Sequence, residues 1–221
     1  MTHDEILKAL FDETLVGNAP DVLRLTELGI AEGMTPGAIL FDALIPSLEE
    51  VGARFERGDF FVPEMLISGK AMSGALNVLR PLLALTGAET VGTFLMGTVK
   101  GDVHDIGKNL VNIMLEGAGF NVIDIGVQAG PEKFIAAINE HKPDIVGMSA
   151  FLTTTMPMFK VNIHEITKAG LRDQVMIMVG GAPVTQEYAD VVGADGFASD
   201  ASTAVRIAKD LMQKRRANAN A

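Results

Sequence analysis

The sequence predicts an α/β protein in which a four-helix bundle precedes a five-stranded parallel sheet. Apolar residues recur at helical spacing up to about residue 87, and after that point short apolar runs alternate with helical segments. Short, uninterrupted apolar strands are typical of a parallel sheet covered on both faces. A turn at Thr86-Gly87-Ala88-Glu89 separates the halves, so we expect a helical cap domain over 1–88, an α/β domain over 89–216 and a frayed tail over 217–221.

The four helices of the first half begin at recognisable residues. Thr2 and Glu5 form a capping box ahead of the first helix, which should end at Gly17. A proline in the first turn starts each of the others, because the N–H that proline lacks would be unpaired there anyway. These prolines are Pro20, Pro36 and Pro63, and the helix that begins at Pro36 should end by Gly58. Short loops between four amphipathic helices predict an antiparallel bundle.

The second half contains five strand–helix units. The predicted strands cover 91–96, 121–125, 145–149, 175–179 and 196–198. The predicted helices cover 106–118, 131–141, 155–169, 184–192 and 201–216. In an open α/β sheet, ligands bind beyond the carboxyl ends of the strands, so the residues that follow each strand are the first candidates for a site.

Composition excludes several classes of function. With 18 Lys and Arg against 28 Asp and Glu, the chain has a net charge of −10 and no electrostatic footprint for nucleic acid or an anionic membrane. The absence of cysteine excludes disulfides, thiolate zinc sites, cysteine-ligated iron–sulfur clusters and a cysteine nucleophile. The start is polar and no apolar run reaches the roughly 20 residues of a membrane span, so we expect a cytoplasmic protein.

The loop after the first predicted strand, Gly101 to Gly107, places a histidine beside two carboxylates. Asp102, two residues before His104, is the type of partner that orients a metal-bound imidazole and raises its basicity. No second histidine or cysteine is near enough in sequence to complete a zinc site. A lone histidine ligand makes most sense where the cofactor itself supplies the other coordination positions, as a macrocycle does. A loop histidine without a ligand role is the alternative from the residues alone.

Two other strand ends carry small hydroxyls and glycines without Lys or Arg. They are Ser149, Thr153 and Thr155 after the third strand, and Gly180 and Gly181 after the fourth. Neither a Walker A motif nor a GxGxxG turn is present, which argues against a nucleoside polyphosphate. Because paired glycines let a large ligand approach the backbone closely, this edge suits a bulky organic cofactor better than ATP.

Taken together, three motifs resemble the cobalamin-binding module of B12-dependent methyltransferases. They are Asp102-x-His104-x-x-Gly107, the stretch from Ser149, and Gly180-Gly181. Residues 101–109 are very similar to the matching segment of methionine synthase and of the small corrinoid proteins, and residues 58–64 are similar to the helical cap of that family. The resemblance covers nearly the whole chain and implies a flavodoxin-like, Rossmann-like sheet behind a helical cap.

The resemblance also implies roles for individual side chains. His104 would replace the dimethylbenzimidazole as the lower axial ligand of cobalt, in the base-off/His-on mode. Asp102 would accept from the other imidazole nitrogen, and Thr155 would complete a hydrogen-bond relay that tunes the ligand. The displaced nucleotide tail would thread into the sheet between the first and third strands, lined by Ser149, Thr153 and Gly180-Gly181. One departure is visible, because the Ser-x-Leu of the family is Ser149-Ala150-Phe151 here, with Leu152 one position later.

The resemblance therefore implies a set of cofactor-binding residues. They are Gly97, Asp102, Val103, His104, Asp105, Ile106, Gly107, Ser149, Leu152, Thr153, Gly180, Gly181 and Ala201. Three cap residues would shield the upper face of the corrin, namely Phe61, Met65 and Met72. For each of these three, a place in the core of the helical bundle is the alternative.

The function that the resemblance implies is that of a methyl-carrier corrinoid protein. Its cobalamin, as methylcobalamin, cob(I)alamin or hydroxocobalamin, would shuttle a methyl group from a substrate-specific methyltransferase to a second methyltransferase with a thiol or tetrahydrofolate acceptor. A reductive activase would be a third partner. The chain has no substrate barrel, so we expect a carrier subunit without catalytic residues of its own.

Two alternatives share the histidine loop. The cobalamin subunit of an adenosylcobalamin mutase would not be expected to carry this helical cap. A non-enzymatic B12 sensor would usually need an output domain. The methyl donor, whether methanol, a methylamine, betaine or a methoxylated aromatic, is chosen by the partner methyltransferase and is not encoded in this chain.

Overall fold

The computed structural model describes residues 1–86 and 90–219. The predicted domain boundary at 87–89 and the last two residues of the predicted tail lie outside the described residues. The chain divides into two compact units, Met1–Thr90 with Glu116–Gly119 and Val91–Leu115 with Phe120–Ala221. None of the helices described has both the length and the apolar character needed to cross a membrane.

The first unit is helical, as predicted. Its helices are α1 (His3–Leu15), α2 (Ala19–Ala31), α3 (Pro36–Ile39), α4 (Ile45–Arg57) and α5 (Val62–Thr86). The predicted capping box is present at α1, where Thr2 Oγ1 accepts the Glu5 N–H at 3.2 Å and the Glu5 carboxylate accepts the Thr2 N–H at 2.8 Å. Gly58 ends α4 with a left-handed φ of 80°, a conformation that costs glycine little.

The predicted third helix contains one wider turn that its apolar spacing does not predict. Residues 40–44 form a π-helical turn between α3 and α4, and the Ile45 N–H donates to the Leu40 carbonyl, five residues back. Pro46 follows at once. It has no N–H to donate, and in a regular helix its ring would collide with the carbonyl four residues earlier. The wider turn carries the chain past the proline without ending the helix.

The second unit is built on five parallel strands, which confirms the predicted fold class. They are β1 (Thr93–Thr98), β2 (Asn121–Asp124), β3 (Ile145–Ser149), β4 (Met176–Gly180) and β5 (Gly196–Ala198), in the order β2-β1-β3-β4-β5. β1 starts and ends two residues later than the sequence suggests, because Gly97 and Thr98 still pair with Met148 and Ser149 of β3. The other strands lie within one residue of the predicted bounds.

The helices of this unit cover both faces of the sheet, because the crossover from β1 to β2 runs opposite to the crossovers that follow it. They are α6 (Ile106–Gly117), α7 (Pro131–His141), α8 (Pro157–Lys168), α9 (Gln186–Val192) and α10 (Ala201–Ala219). α10 extends three residues past the predicted end at 216, so residues 217–219 of the predicted tail are helical. Phe134 of α7 and Phe159 of α8 lie fully buried in the same apolar core as Leu95 and Val146 of the sheet.

Candidate cofactor site

The strand order places the predicted loops next to one another. The chain moves outward from β1 to β2 and then returns past β1 to β3, so the order reverses between β1 and β3. This reversal is where open α/β sheets bind their ligands. Thr98 of β1 pairs with Ser149 of β3, which pairs with Gly180 of β4. The histidine loop and the Ser149 segment therefore leave the sheet side by side.

His104 is oriented by Asp102. The imidazole Nδ1 lies 2.7 Å from Asp102 Oδ1, and the backbone N–H of His104 donates to the same oxygen at 3.0 Å. A carboxylate beside Nδ1 favours the tautomer that carries its proton there, which leaves the lone pair of Nε2 for another partner. The His104 side chain is 45% exposed, so a ligand can reach it.

Asp102 is a fully buried carboxylate with several donors. Its second oxygen, Oδ2, accepts the Phe151 N–H at 2.7 Å, the Leu152 N–H at 3.3 Å and the Thr155 hydroxyl at 2.8 Å. Burial raises the pKa of Asp102, but these hydrogen bonds and those from His104 outweigh it and hold the pKa well below its ordinary value. The group is therefore a permanent acceptor at neutral pH.

The three side chains predicted as a relay are thus joined in space. Thr155, which is buried, donates to Asp102, and Asp102 accepts from the His104 ring. Thr155 is 53 residues from Asp102 in the chain, and the β1–β3 pairing brings the two together.

Three further residues hold the histidine and its loop. Gln128, with a left-handed φ of 56°, accepts the Gly101 N–H at 2.7 Å through its side chain and donates its backbone N–H to the Asp102 carbonyl at 3.2 Å. Thr98 donates its hydroxyl to the His104 carbonyl at 3.1 Å. The Phe151 ring stacks on the imidazole, with the ring centroids 4.4 Å apart. No sequence motif marks these contacts, although Thr98 and Phe151 each lie two residues beyond the end of a predicted strand.

The paired glycines have a cause within the protein itself, which the sequence did not suggest. A Cβ on Gly181 would lie 1.9 Å from the carbonyl oxygen of Ala150, and one on Gly180 would lie 2.9 Å from that of Ala198. The close approach of neighbouring backbone segments explains both glycines without any ligand. Gly97 is likewise required by packing, because its Cβ would lie 2.8 Å from the Ile125 side chain.

Gly107 behaves in the opposite way. A Cβ built there meets nothing within 4 Å among the described residues, and its φ lies outside the left-handed region. It lies in the first turn of α6, and the cost of glycine relative to alanine reaches roughly 0.5–1 kcal/mol inside a helix. Nothing described in the protein itself therefore calls for a glycine at this position, and the space there is free for a ligand.

Large apolar side chains gather around His104 and remain exposed. They are Val103 (61%), Ile106 (66%), Phe151 (51%) and Leu152 (40%). Val103 and Ile106 flank the histidine in sequence, and Phe151 lies on its ring. An exposed apolar rim of this kind around a polar centre is typical of a ligand surface.

The other residues predicted to bind the cofactor differ in how far they are buried. Asp105 and Thr153 are exposed, Ser149 is half-buried at the end of β3, and Ala201 is buried at the start of α10. Among the predicted cap residues, Phe61 is 66% exposed, whereas Met65 and Met72 are fully buried, as their core alternative requires. Within residues 1–86 and 90–219, no three His, Cys, Asp or Glu side chains cluster so that they could hold a metal ion by themselves.

Comparison with known families identifies both halves of the chain as B12-binding. Residues 92–208 match a family model described as a B12 binding domain, and residues 6–80 match a second model with the same description. The dimethylamine corrinoid protein of Methanosarcina barkeri is 40% identical over 214 residues, 96% of this chain and 100% of that one. The trimethylamine corrinoid protein 1 of Methanosarcina acetivorans is 39% identical over 198 residues, 88% of each chain.

Solved structures agree with this result. The methanol:cobalamin methyltransferase complex of Methanosarcina barkeri contains a chain that is 29% identical, with a TM-score of 0.83 over 95% of this chain and 80% of that one. The monomethylamine corrinoid protein of Methanosarcina barkeri is 33% identical, with a TM-score of 0.53 over 95% of this chain and 100% of that one. The chain belongs to the family of cobalamin-binding corrinoid proteins of methyltransferase systems, and its cofactor is cobalamin. The predicted family and cofactor are confirmed.

Proposed function

We propose that this chain carries a methyl group on its cobalamin from a substrate-specific methyltransferase to a second methyltransferase with a thiol or tetrahydrofolate acceptor. His104 is the lower axial ligand of cobalt, and the dimethylbenzimidazole base is displaced. The observation that carries the proposal is the geometry of His104, whose Nδ1 lies 2.7 Å from a buried carboxylate while Nε2 is left for a metal. A reductive activase completes the set of partners.

The residues around His104 fit cobalamin. Its corrin ring is a large macrocycle with apolar edges, and the exposed rim of Val103, Ile106, Phe151 and Leu152 offers it an apolar surface. The open space at Gly107 leaves room close to the ligand. When bound, the cobalt supplies the centre on which a methyl group is held.

The chain's own contribution is to orient one nitrogen and hold one proton. Asp102 keeps the imidazole proton on Nδ1 and raises the basicity of Nε2. The Phe151 N–H and the Thr155 hydroxyl hold the carboxylate in place at 2.7 and 2.8 Å. The contacts of Gln128 and Thr98 fix the loop backbone, so the ligand is preorganised before cobalamin arrives.

The path expected for the nucleotide tail needs a correction. β1 and β3 pair from Phe94–Ile145 to Thr98–Ser149, and two strands paired in this way leave no channel between them. The tail therefore cannot thread between the paired strands. We place it beyond their carboxyl ends, still lined by the predicted Ser149, Thr153 and Gly180–Gly181.

The relatives suggest which methyl donors to test first. Their names associate them with dimethylamine, trimethylamine and monomethylamine, and one structural relative belongs to a methanol system. We therefore propose a methylamine as the donor, with methanol as the second choice. The test is whether a purified methylamine methyltransferase loads the holoprotein, measured by the absorbance change of its cobalamin.

Axial ligation has a direct spectroscopic test. Protein labelled with 15N-histidine and reconstituted with cob(II)alamin should show an EPR spectrum split by one nitrogen nucleus, and the splitting should change from a triplet to a doublet on labelling. His104→Ala should lose this label-sensitive splitting, because no other residue supplies the axial nitrogen. His164→Ala, a histidine on the exposed surface of α8, is the matched control and should keep it. A label-sensitive splitting in His104→Ala would contradict the assignment.

Gly107→Ala should change the stability of the apoprotein and its affinity for cobalamin in opposite directions. The substitution should raise the free energy of unfolding of the apoprotein by at most roughly 0.5–1 kcal/mol, the helix-interior value, since alanine favours the helix and the new methyl group meets no neighbour. The affinity for cobalamin should fall, because the methyl group takes space that the cofactor uses. Urea denaturation of the apoprotein and titration with hydroxocobalamin measure the two effects.

The matched control is Gly37→Ala, which changes the second residue of α3 as Gly107→Ala changes the second residue of α6. Its Cβ would make only ordinary contact with Phe41, at 3.8 Å. It should leave cobalamin affinity unchanged. An unaltered affinity in Gly107→Ala as well would mean that the space is not used by the cofactor.

A further inference from the structure

Phe151 contacts both members of the His104–Asp102 pair. Its ring stacks on the imidazole, with centroids 4.4 Å apart and an angle of 27° between the planes. Its backbone N–H donates to Asp102 Oδ2 at 2.7 Å. One residue of the β3 loop therefore reaches the ring of the proposed ligand and the carboxylate that orients it.

The two contacts restrain different motions of His104. The bond to Asp102 holds Nδ1 near the carboxylate but still permits small tilts of the imidazole by rotation about its Cβ–Cγ bond. A ring stacked on the imidazole face opposes that tilt, because tilting breaks the offset-stacked contact that aromatic pairs prefer. The lone pair of Nε2 lies in the plane of the imidazole, so the tilt decides where it points.

We propose that Phe151 is a positioning residue that sets the plane of the His104 ring and so directs Nε2 at the metal. This inference rests on the proposed role of His104 as the axial ligand. Packing of the core does not account for the aromatic side chain, since it is 51% exposed and lies outside the buried core cluster. The backbone N–H survives any side-chain change, so a substitution at Phe151 tests the ring alone.

The first measurement uses the apoprotein. In the NMR spectrum, the stacked phenyl ring should displace the chemical shifts of the His104 ring protons. Phe151→Leu, which keeps an apolar side chain of similar size without a ring, should remove that displacement. Phe151→Tyr keeps the ring and should retain it. These spectra report stacking without any cofactor.

The second measurement uses protein reconstituted with cob(II)alamin. In Phe151→Leu the ratio of histidine-ligated to unligated cobalamin, read from the nitrogen splitting in the EPR spectrum, should fall roughly two- to tenfold, the size expected for one lost aromatic contact. The midpoint potential of the cobalt couple should become less negative, because weaker axial donation favours the reduced metal. Phe151→Tyr should keep both the ligation ratio and the midpoint potential of the wild type.

The outcomes separate the inference from the proposed function. A wild-type spectrum without nitrogen splitting from histidine would overturn the axial role of His104 and this inference together. A wild-type splitting that Phe151→Leu leaves unchanged, in ratio and in potential, would overturn the inference alone. Loss of ligation in Phe151→Tyr equal to that in Phe151→Leu would also overturn it, because the ring would then not be the cause.

Discussion

Asp102→Ala lowers the free energy of unfolding of the apoprotein by about 3–5 kcal/mol in urea denaturation. The substitution removes the acceptor of three backbone N–H groups, those of His104, Phe151 and Leu152, and of the Thr155 hydroxyl. Each backbone donor left without a partner costs about 1–3 kcal/mol, whereas the Thr155 hydroxyl can still donate to the Leu152 carbonyl, 2.8 Å away. The same change releases the His104 ring, so ligation should be lost together with stability.

Asp102→Asn is the matched variant that separates these two losses. Its carbonyl oxygen can still accept from Phe151 and Thr155, so it should destabilise the protein less than Asp102→Ala. Its NH2 group, however, would face His104 and force the imidazole proton onto Nε2. Histidine ligation of cob(II)alamin should therefore weaken by roughly 10–100-fold, as measured by EPR.

The acid dependence of these variants has a definite sign. The pKa of Asp102 is lowered in the folded protein, so the carboxylate contributes stability above its unfolded pKa of about 3.9. The advantage of the wild type over Asp102→Asn should shrink as the pH falls below that value towards the folded pKa. A constant difference over this range, or an Asp102→Ala variant as stable as the wild type, would contradict the proposed network.

Gly181→Ala should be the most damaging small substitution in the α/β unit, with a loss of about 4–5 kcal/mol or failure to fold. The new Cβ would lie 1.9 Å from the carbonyl oxygen of Ala150, a contact with backbone rather than with a movable side chain. The φ of Gly181, 127°, is also one that alanine rarely adopts. Circular dichroism and thermal unfolding of the apoprotein measure the loss.

Gly193→Ala is the control for the backbone conformation alone. Gly193 has a φ of 79°, but a Cβ there meets nothing within 4 Å among the described residues. It should cost only the roughly 1–2 kcal/mol of a left-handed alanine. The difference between the two losses therefore reports the collision together with any extra strain from the wider φ of Gly181. Equal losses in both would show that Ala150 moves aside at no cost.

Local patterns predicted much of this molecule because their causes are local. Thr2 and Glu5 form their capping box within one turn, and the strands are short apolar runs whose burial follows from their composition. His104 was predicted as a metal ligand because its motif lies in the loop that follows the first predicted strand. The structure places Asp102 and Thr155 around it in the arrangement that the resemblance implied.

Contacts that depend on tertiary structure were beyond the reach of these patterns. Gln128 accepts a hydrogen bond from Gly101, 27 residues earlier in the chain. Nothing in the sequence around a glutamine predicts such a contact. The need for glycine at position 181 is visible only once the position of the Ala150 carbonyl is known. The π turn was within reach, because Pro46 lies inside a helical pattern, but its effect is a change of pitch rather than a break.

The hydrogen bonds of Asp102 make two distant stretches of chain inseparable for protein engineering. The ligand and its carboxylate leave the sheet from β1, while the donors from Phe151 and Thr155 leave it from β3. A chimera that exchanges only residues 98–109 with a relative would pair one protein's histidine with another protein's supporting loop. Residues 98–109 and 149–155 should therefore be transplanted as one cassette, although the rest of α6, β2, α7 and most of β3 lie between them in the chain.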